Sequence, residues 1–209
     1  MRYAPRVEAC EARVLTALVF VLNGNAFSEA SPNDLTANAA GVLQAAGHRV
    51  VQLGYPEIAT PSAYYGLATQ IKSMSRGRPI GLVGFSAGGS LASRLSSIES
   101  LNVKAVLNEY GPPDMRDWYR YHGADRFGLY VRSHVPMTPQ AVALLSGPST
   151  SKAYIAAAFG SGDRNVTASH SIASFHRDFS AGKSYTYRGG HGASISASRA
   201  ALEDFLAHL

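Results

Sequence analysis

Residues 79–89 read Pro79-Ile80-Gly81-Leu82-Val83-Gly84-Phe85-Ser86-Ala87-Gly88-Gly89, and the two halves of this stretch follow different rules. Residues 79–85 are a short apolar run without polar alternation, the pattern of a strand covered on both faces in a parallel sheet. From Ala87 to residue 98 the periodicity becomes helical. Ser86 stands at the junction, with glycine two residues before it and two after it, so the segment fits G-x-S-x-G in a strand-to-helix context. A serine projecting from such a turn needs a strained backbone with little bulk nearby, which explains the flanking glycines. The helix that follows aims its free amides at any negative charge developing at the turn.

Outward from this junction, strand and helix alternate. A strand is expected over residues 13–22, running into the Asn23-Gly24-Asn25 turn. A helix follows, with Ser31 as its cap, Pro32 at its first position, Leu35, Ala39, Val42 and Leu43 on one face and Gly47 as its stop. Further strands are expected over 49–53, 103–108, 153–159 and 183–187, and helices over 61–74, 166–179 and 194–209. Such alternation predicts right-handed crossovers and a mostly parallel sheet with helices on both faces, whose chemistry belongs at the carboxyl ends of the strands. Residues 112–150 break the rhythm and read as a cap insertion of one or two short helices, carrying Trp118, Tyr119, Tyr121, Phe127 and Tyr130. The 209 residues contain no internal repeat or linker and are expected to form a single domain over 1–209.

Composition removes several classes. Hydrophobic residues are 46% and charged residues 16% of the chain, which excludes disorder and coiled coil. The formal net charge is +5, but Arg2, Arg6, Arg13, Arg76, Arg78, Arg94 and Lys104 are scattered without a basic, aromatic-interleaved run, so no nucleic-acid partner is expected. Cys10 is the one cysteine, which precludes an internal disulfide and lacks zinc-ligand spacing. No apolar run approaches the roughly 18 residues of a membrane span. Residues 13–22 imitate a signal-peptide core, but Glu8 and Glu11 spoil its basic flank and no small-residue cleavage site follows, so a cytoplasmic location is expected. The glycines at 84–89 lack the lysine of a phosphate loop and the spacing of a dinucleotide fingerprint, and neither metal nor cofactor is expected.

With its Gly84-Phe85-Ser86-Ala87-Gly88-Gly89 turn the chain resembles, over nearly its whole length, the α/β-hydrolase superfamily, particularly its small members: dienelactone hydrolases, carboxylesterases and acyl-protein thioesterases. In that superfamily an acid and then a histidine follow the serine, and Gly160-Ser161-Gly162-Asp163 and Gly189-Gly190-His191-Gly192 match the two loops. The resemblance implies Ser86 as nucleophile, His191 as general base and then acid, and Asp163 as the carboxylate that orients the imidazole. Both Asp163 and His191 sit just beyond expected strands, where their loops can meet Ser86 along one rim. Glu109, at the end of the strand over 103–108, is the alternative acid. His48, His170, His176 and His208 have no clear route to that rim, while His122 and His134 belong to the insertion.

Acyl transfer also requires two donors for a tetrahedral oxyanion. Ala87 supplies one backbone N–H, and Leu22-Asn23-Gly24-Asn25 resembles the Leu-His-Gly-x loop of acyl-protein thioesterases, which points to Asn25 for the other. Asn23 stands where that family often has histidine. Trp118, Tyr119 and Tyr121 are expected to line a substrate pocket, with Arg116 and Arg120 on one helix face. Three readings follow. The chain is a serine hydrolase acting on a small-molecule carboxylic ester or thioester, an acyltransferase using the same triad, or a non-catalytic binding protein on the same scaffold.

Overall fold

The computed structural model describes residues 16–209; Cys10 and the first residues of the strand expected from position 13 lie outside that range. Six strands form one sheet: β1 (Leu18–Leu22), β2 (Arg49–Leu53), β3 (Ile80–Phe85), β4 (Val103–Glu109), β5 (Tyr154–Gly160) and β6 (Gly182–Tyr187). Their order is β2-β1-β3-β4-β5-β6, and all five pairings are parallel. The helices between them are α1 (Asp34–Ala45), α2 (Pro61–Ser75), α3 (Ala87–Leu95), α7 (Ala168–Asp178) and the final α8 (Arg199–Ala207). No helix among the described residues is long and apolar enough to cross a membrane.

Side chains alternate across a strand, and the sheet divides its apolar residues accordingly between two layers. Phe20, Leu22, Leu82, Val106, Ile155 and Ala157 face Leu67 and Ile71 of α2, Leu91 and Leu95 of α3 and Phe175 of α7. Val19, Val21, Val83, Phe85, Ala105 and Leu107 face Ala39 and Leu43 of α1 and Ala201, Leu202 and Phe205 of α8. β3 is buried along its whole length, as its unbroken apolar run requires, whereas the edge strands β2 and β6 are exposed at several positions. After β2 the chain crosses back over β1 to lay down β3, and every later strand is added outward from there. The crevice of a parallel sheet opens at such a reversal. Here it lies between the carboxyl ends of β1 and β3, where the Asn23–Asn25 loop and Ser86 emerge.

Several boundaries differ from the sequence expectations. α1 is capped by Asn33 rather than Ser31. Asn33 Oδ1 accepts from Thr36 N while Thr36 Oγ1 accepts from Asn33 N, and the Ser31 carbonyl is instead taken by the Asn23 side chain. α3 ends at Leu95 rather than at residue 98, and the hydroxyl of Ser96, its C-cap, bonds Ser93 O and Ser151 Oγ. The last helix is split into a 3₁₀ turn, Ile195–Ser198, and α8, with Ser198 turned inward. The insertion holds three helices rather than one or two: α4 (Met115–His122), α5 (Arg126–His134) and α6 (Pro139–Leu144). Asp114, Asp125 and Thr138 cap them in turn.

Candidate active site

Ser86 occupies the tip of the β3–α3 turn with φ 52° and ψ −124°, a left-handed conformation that side chains rarely adopt. The backbone holds it there: Ser86 N donates to Glu109 O at 2.8 Å, and Gly89 N donates back to Ser86 O at 2.9 Å. A Cβ on Gly84 would lie 2.1 Å from Gly88 O, so the turn closes only with glycine at that position. Gly24, from the loop after β1, presses equally close, since a Cβ there would sit 2.5 Å from Ser86 Cβ.

Asp163 follows β5 and His191 follows β6, and backbone bonds join their two loops: Ser161 N to Tyr187 O at 2.9 Å and Gly162 N to Gly189 O at 2.8 Å. The structure brings the three side chains into one chain of hydrogen bonds. His191 Nε2 lies 2.9 Å from Ser86 Oγ, and His191 Nδ1 lies 2.8 Å from Asp163 Oδ2. With the proton on Nδ1 donated to the carboxylate, Nε2 is left to accept from the serine hydroxyl. The second oxygen of Asp163 accepts from Asn165 N at 2.8 Å and Val166 N at 2.9 Å, which fixes the carboxylate plane. Tyr110 meets the imidazole edge-on at 4.8 Å between centroids, limiting its tilt.

Glu109, the last residue of β4, points elsewhere. It is fully buried; its Oε1 accepts the hydroxyl of Ser198, while its Oε2 has no partner among the described residues. Burial pushes its carboxyl up to about 8, against which the Ser198 hydrogen bond acts only weakly.

The N–H groups of Asn25 and Ala87 have no acceptor among the described residues; Asn25 borders the same cleft as Ser86, and Ala87 follows Ser86 at the start of α3. Asn23 does the holding: its side chain donates to Ser31 O at 2.8 Å, and its carbonyl accepts the Tyr55 hydroxyl at 2.7 Å. Beyond Asn25, Ala26 and Phe27 both have positive φ, 50° and 67°, and Ile58 N bonds Phe27 O at 2.9 Å. This loop is strained and pinned rather than free.

A cleft of about 240 Å³ opens above Ser86 and His191, lined by Asn25, Asn33, Tyr110, Phe127, Tyr130 and Asn165 among others. The three aromatic residues expected from sequence separate. Trp118 is buried, donates its indole N–H to Asn165 O at 2.8 Å and borders a small hollow beside Ser86. Tyr119 lies under Arg132 in a separate groove with Arg116, and Tyr121 is exposed and stacked on His170 at 3.6 Å. The aromatic lining of the cleft comes from α5 instead, through Phe127 and Tyr130. Their i, i+3 spacing was the available signal once the helix start at Asp125 was known. Among the described residues no group of three or more His, Cys, Asp or Glu side chains is placed to hold a metal ion.

No protein-family model matches the sequence, and no curated protein matches it. Solved structures do. A carboxylesterase from Lactobacillus plantarum WCFS1 superposes with a TM-score of 0.63 at 18% identity, over 91% of this chain and 78% of that one. Acetyl xylan esterase 1 from Thermoanaerobacterium sp. JW/SL YS485 gives 0.63 at 14% identity, over 92% and 74%. The acylaminoacyl peptidase of Pyrococcus horikoshii gives 0.63 at 17% identity, over 91% of this chain and 36% of its own. The chain has the α/β-hydrolase fold.

Proposed function

We propose that this protein is a serine hydrolase that cleaves a small-molecule carboxylic ester through an acyl-enzyme on Ser86. The observation that carries the reading is the unbroken hydrogen-bond chain Ser86–His191–Asp163, with lengths of 2.9 and 2.8 Å, beside two N–H groups without acceptors. A serine hydroxyl is a weak nucleophile until a base within hydrogen-bond reach removes its proton. Ser86 Oγ forms a bond to the ester carbonyl carbon as His191 Nε2 takes its proton. Asp163 stabilises the resulting imidazolium without itself becoming protonated. The N–H groups of Ala87 and Asn25 receive the oxyanion, a contribution of about 3 kcal/mol for each well-placed donor.

Collapse breaks the bond to the alcohol oxygen, which leaves with the proton from His191. Water then repeats the sequence on the acyl-enzyme, returning the acid and the free serine. The test is intact-protein mass after treatment with a fluorophosphonate, on wild type and on Ser86→Ala with folding verified by circular dichroism. One adduct on wild type and none on the variant is expected. A folded wild type that takes no adduct overturns the reading in favour of a binding protein. If a thioester or an acyl acceptor other than water is the better substrate, product analysis identifies it on the same Ser86 adduct.

A further inference from the structure

Two spaces of very different size meet at Ser86. One is the cleft of about 240 Å³ that it shares with His191. The other is a hollow of about 10 Å³ that shares Ala26, Ser86 and Phe127 with the cleft, is walled further by Ala87, Trp118, Val131 and Val166, and is apolar apart from Ser86. Chemistry assigns the two halves of an ester between them. The leaving oxygen must face the nitrogen that protonates it, so the alcohol lies in the space bordered by His191. The acyl carbon is bonded to Ser86 Oγ with its oxygen toward Ala87 and Asn25, so the acyl chain points into the hollow, which His191 does not border. A volume of about 10 Å³ is about what one water-sized group fills. That is the space of a single methyl group.

The walls are fixed. Trp118 is tied through its indole N–H to Asn165 O, the ring is stacked on His122 at 5.6 Å, and its edge contacts Phe127 at 6.0 Å. Val131 and Val166 are each 2% exposed. Side chains packed this tightly do not open for an added methylene without displacing neighbours. We infer that the enzyme is selective for acetyl-sized acyl groups, with Trp118, Val131 and Val166 as the residues that set the limit. The inference rests on the acyl-enzyme reading above. In it the acetyl carbon passes from the alcohol oxygen to Ser86 Oγ and then to water, with His191 carrying the proton at each step.

The test uses p-nitrophenyl acetate, propanoate, butanoate and hexanoate on the full chain, with Ser86→Ala as the blank. For wild type, kcat/KM is expected to fall at least tenfold for each methylene the hollow cannot hold, since one misfitting methylene is worth about 10–200-fold. Trp118→Ala should raise the butanoate-to-acetate ratio at least about tenfold. Because Trp118 also braces Asn165, Val131→Ala and Val166→Ala, which remove wall without a hydrogen bond, test the same shift if Trp118→Ala does not fold. A wild type that turns over hexanoate as well as acetate in a Ser86-dependent manner overturns the size limit and leaves the hydrolase reading standing. The same holds if the ratio is unchanged in the wall variants. No Ser86-dependent turnover of any of the four esters overturns both.

Discussion

Asp163 and Glu109 are both carboxylates beyond or at the end of parallel strands on the same rim, and what separates them is the supply of donors. Asp163 accepts from Asn165 N, Val166 N and His191 Nδ1. Among the described residues Glu109 accepts only from the Ser198 hydroxyl, in a fully buried site that favours its neutral form. In the proposed mechanism an imidazolium forms at His191 and needs a charged partner, and among the described carboxylates only Asp163 touches it. Asp163→Asn is therefore expected to lower kcat on any accepted ester by about four orders of magnitude, the effect of presenting the wrong imidazole tautomer, with the fold intact by circular dichroism. Glu109→Gln should leave kcat/KM within a few-fold of wild type; if the two outcomes were exchanged in steady-state assays, the assignment of the acid would be reversed. The meeting of Ser86, Asp163 and His191 was legible in sequence because each stands just beyond a strand of a parallel sheet, and such strands end on one rim. The aromatic lining was not, because which face of a short helix looks inward depends on where it starts. Asp125 starts α5 so that Phe127 and Tyr130 face the cleft, while Tyr121 of α4 is left outside.

The elements that place those residues are joined by a second polar centre remote from the serine. Arg94 of α3 is buried and reaches both ends of the insertion. It donates to Pro113 O where the insertion leaves the sheet and to Gly147 O at 2.5 Å where it returns, and it pairs with Asp178 of α7 at 3.2 Å. Arg177 extends the cluster to Asp114, the cap of α4, and to Asp117 on α4, at 2.9 and 2.5 Å. The helix that begins just after Ser86 thus also anchors the cap that carries Trp118, Phe127 and Val131. Arg94→Ala should cost about 3 kcal/mol, the low end for breaking a buried pair because Arg177 still neutralises Asp178. This corresponds to a Tm lower by about 6–12 °C in calorimetry; a change under about 1 kcal/mol in urea titration would mean that the anchor is not structural. Apart from the start of β1, expected from residue 13 and found at Leu18, the strands were legible to within a residue or two, the buried ones because burial on both faces writes itself into apolar runs. The cap was less so. α4 and α5 are separated by only Gly123, Ala124 and Asp125, and α6 is 6 residues long, so the insertion presents no long periodic window to read.

At the scale of the molecule, the sheet is sealed by apolar layers on both faces, and Glu109 is a carboxyl sealed in with them, where β4 meets the Ile195–Ser198 turn. Its titration is therefore a property of the fold. In the unfolded chain it loses its proton near the ordinary value of 4.5, whereas in the folded chain burial holds the proton until about 8. Between those values the folded state binds a proton that the unfolded state has released, so this group's contribution to stability is fully present below about 4.5 and is lost as pH rises toward about 8. Inside that window the slope for a single such group approaches 1.4 kcal/mol per pH unit. Glu109→Gln keeps the shape and removes the titrating proton, so urea unfolding from pH 5 to pH 8.5 should show wild-type stability declining relative to the variant up to about pH 8 and levelling off beyond it. The proposed Ser86–His191–Asp163 mechanism draws no proton from Glu109, so the activity profile of the variant should follow that of wild type while the two stability curves diverge. Parallel stability curves would mean that water or rearrangement relieves the buried Oε2, and that the seal between β4 and the Ile195–Ser198 turn is looser than its packing implies.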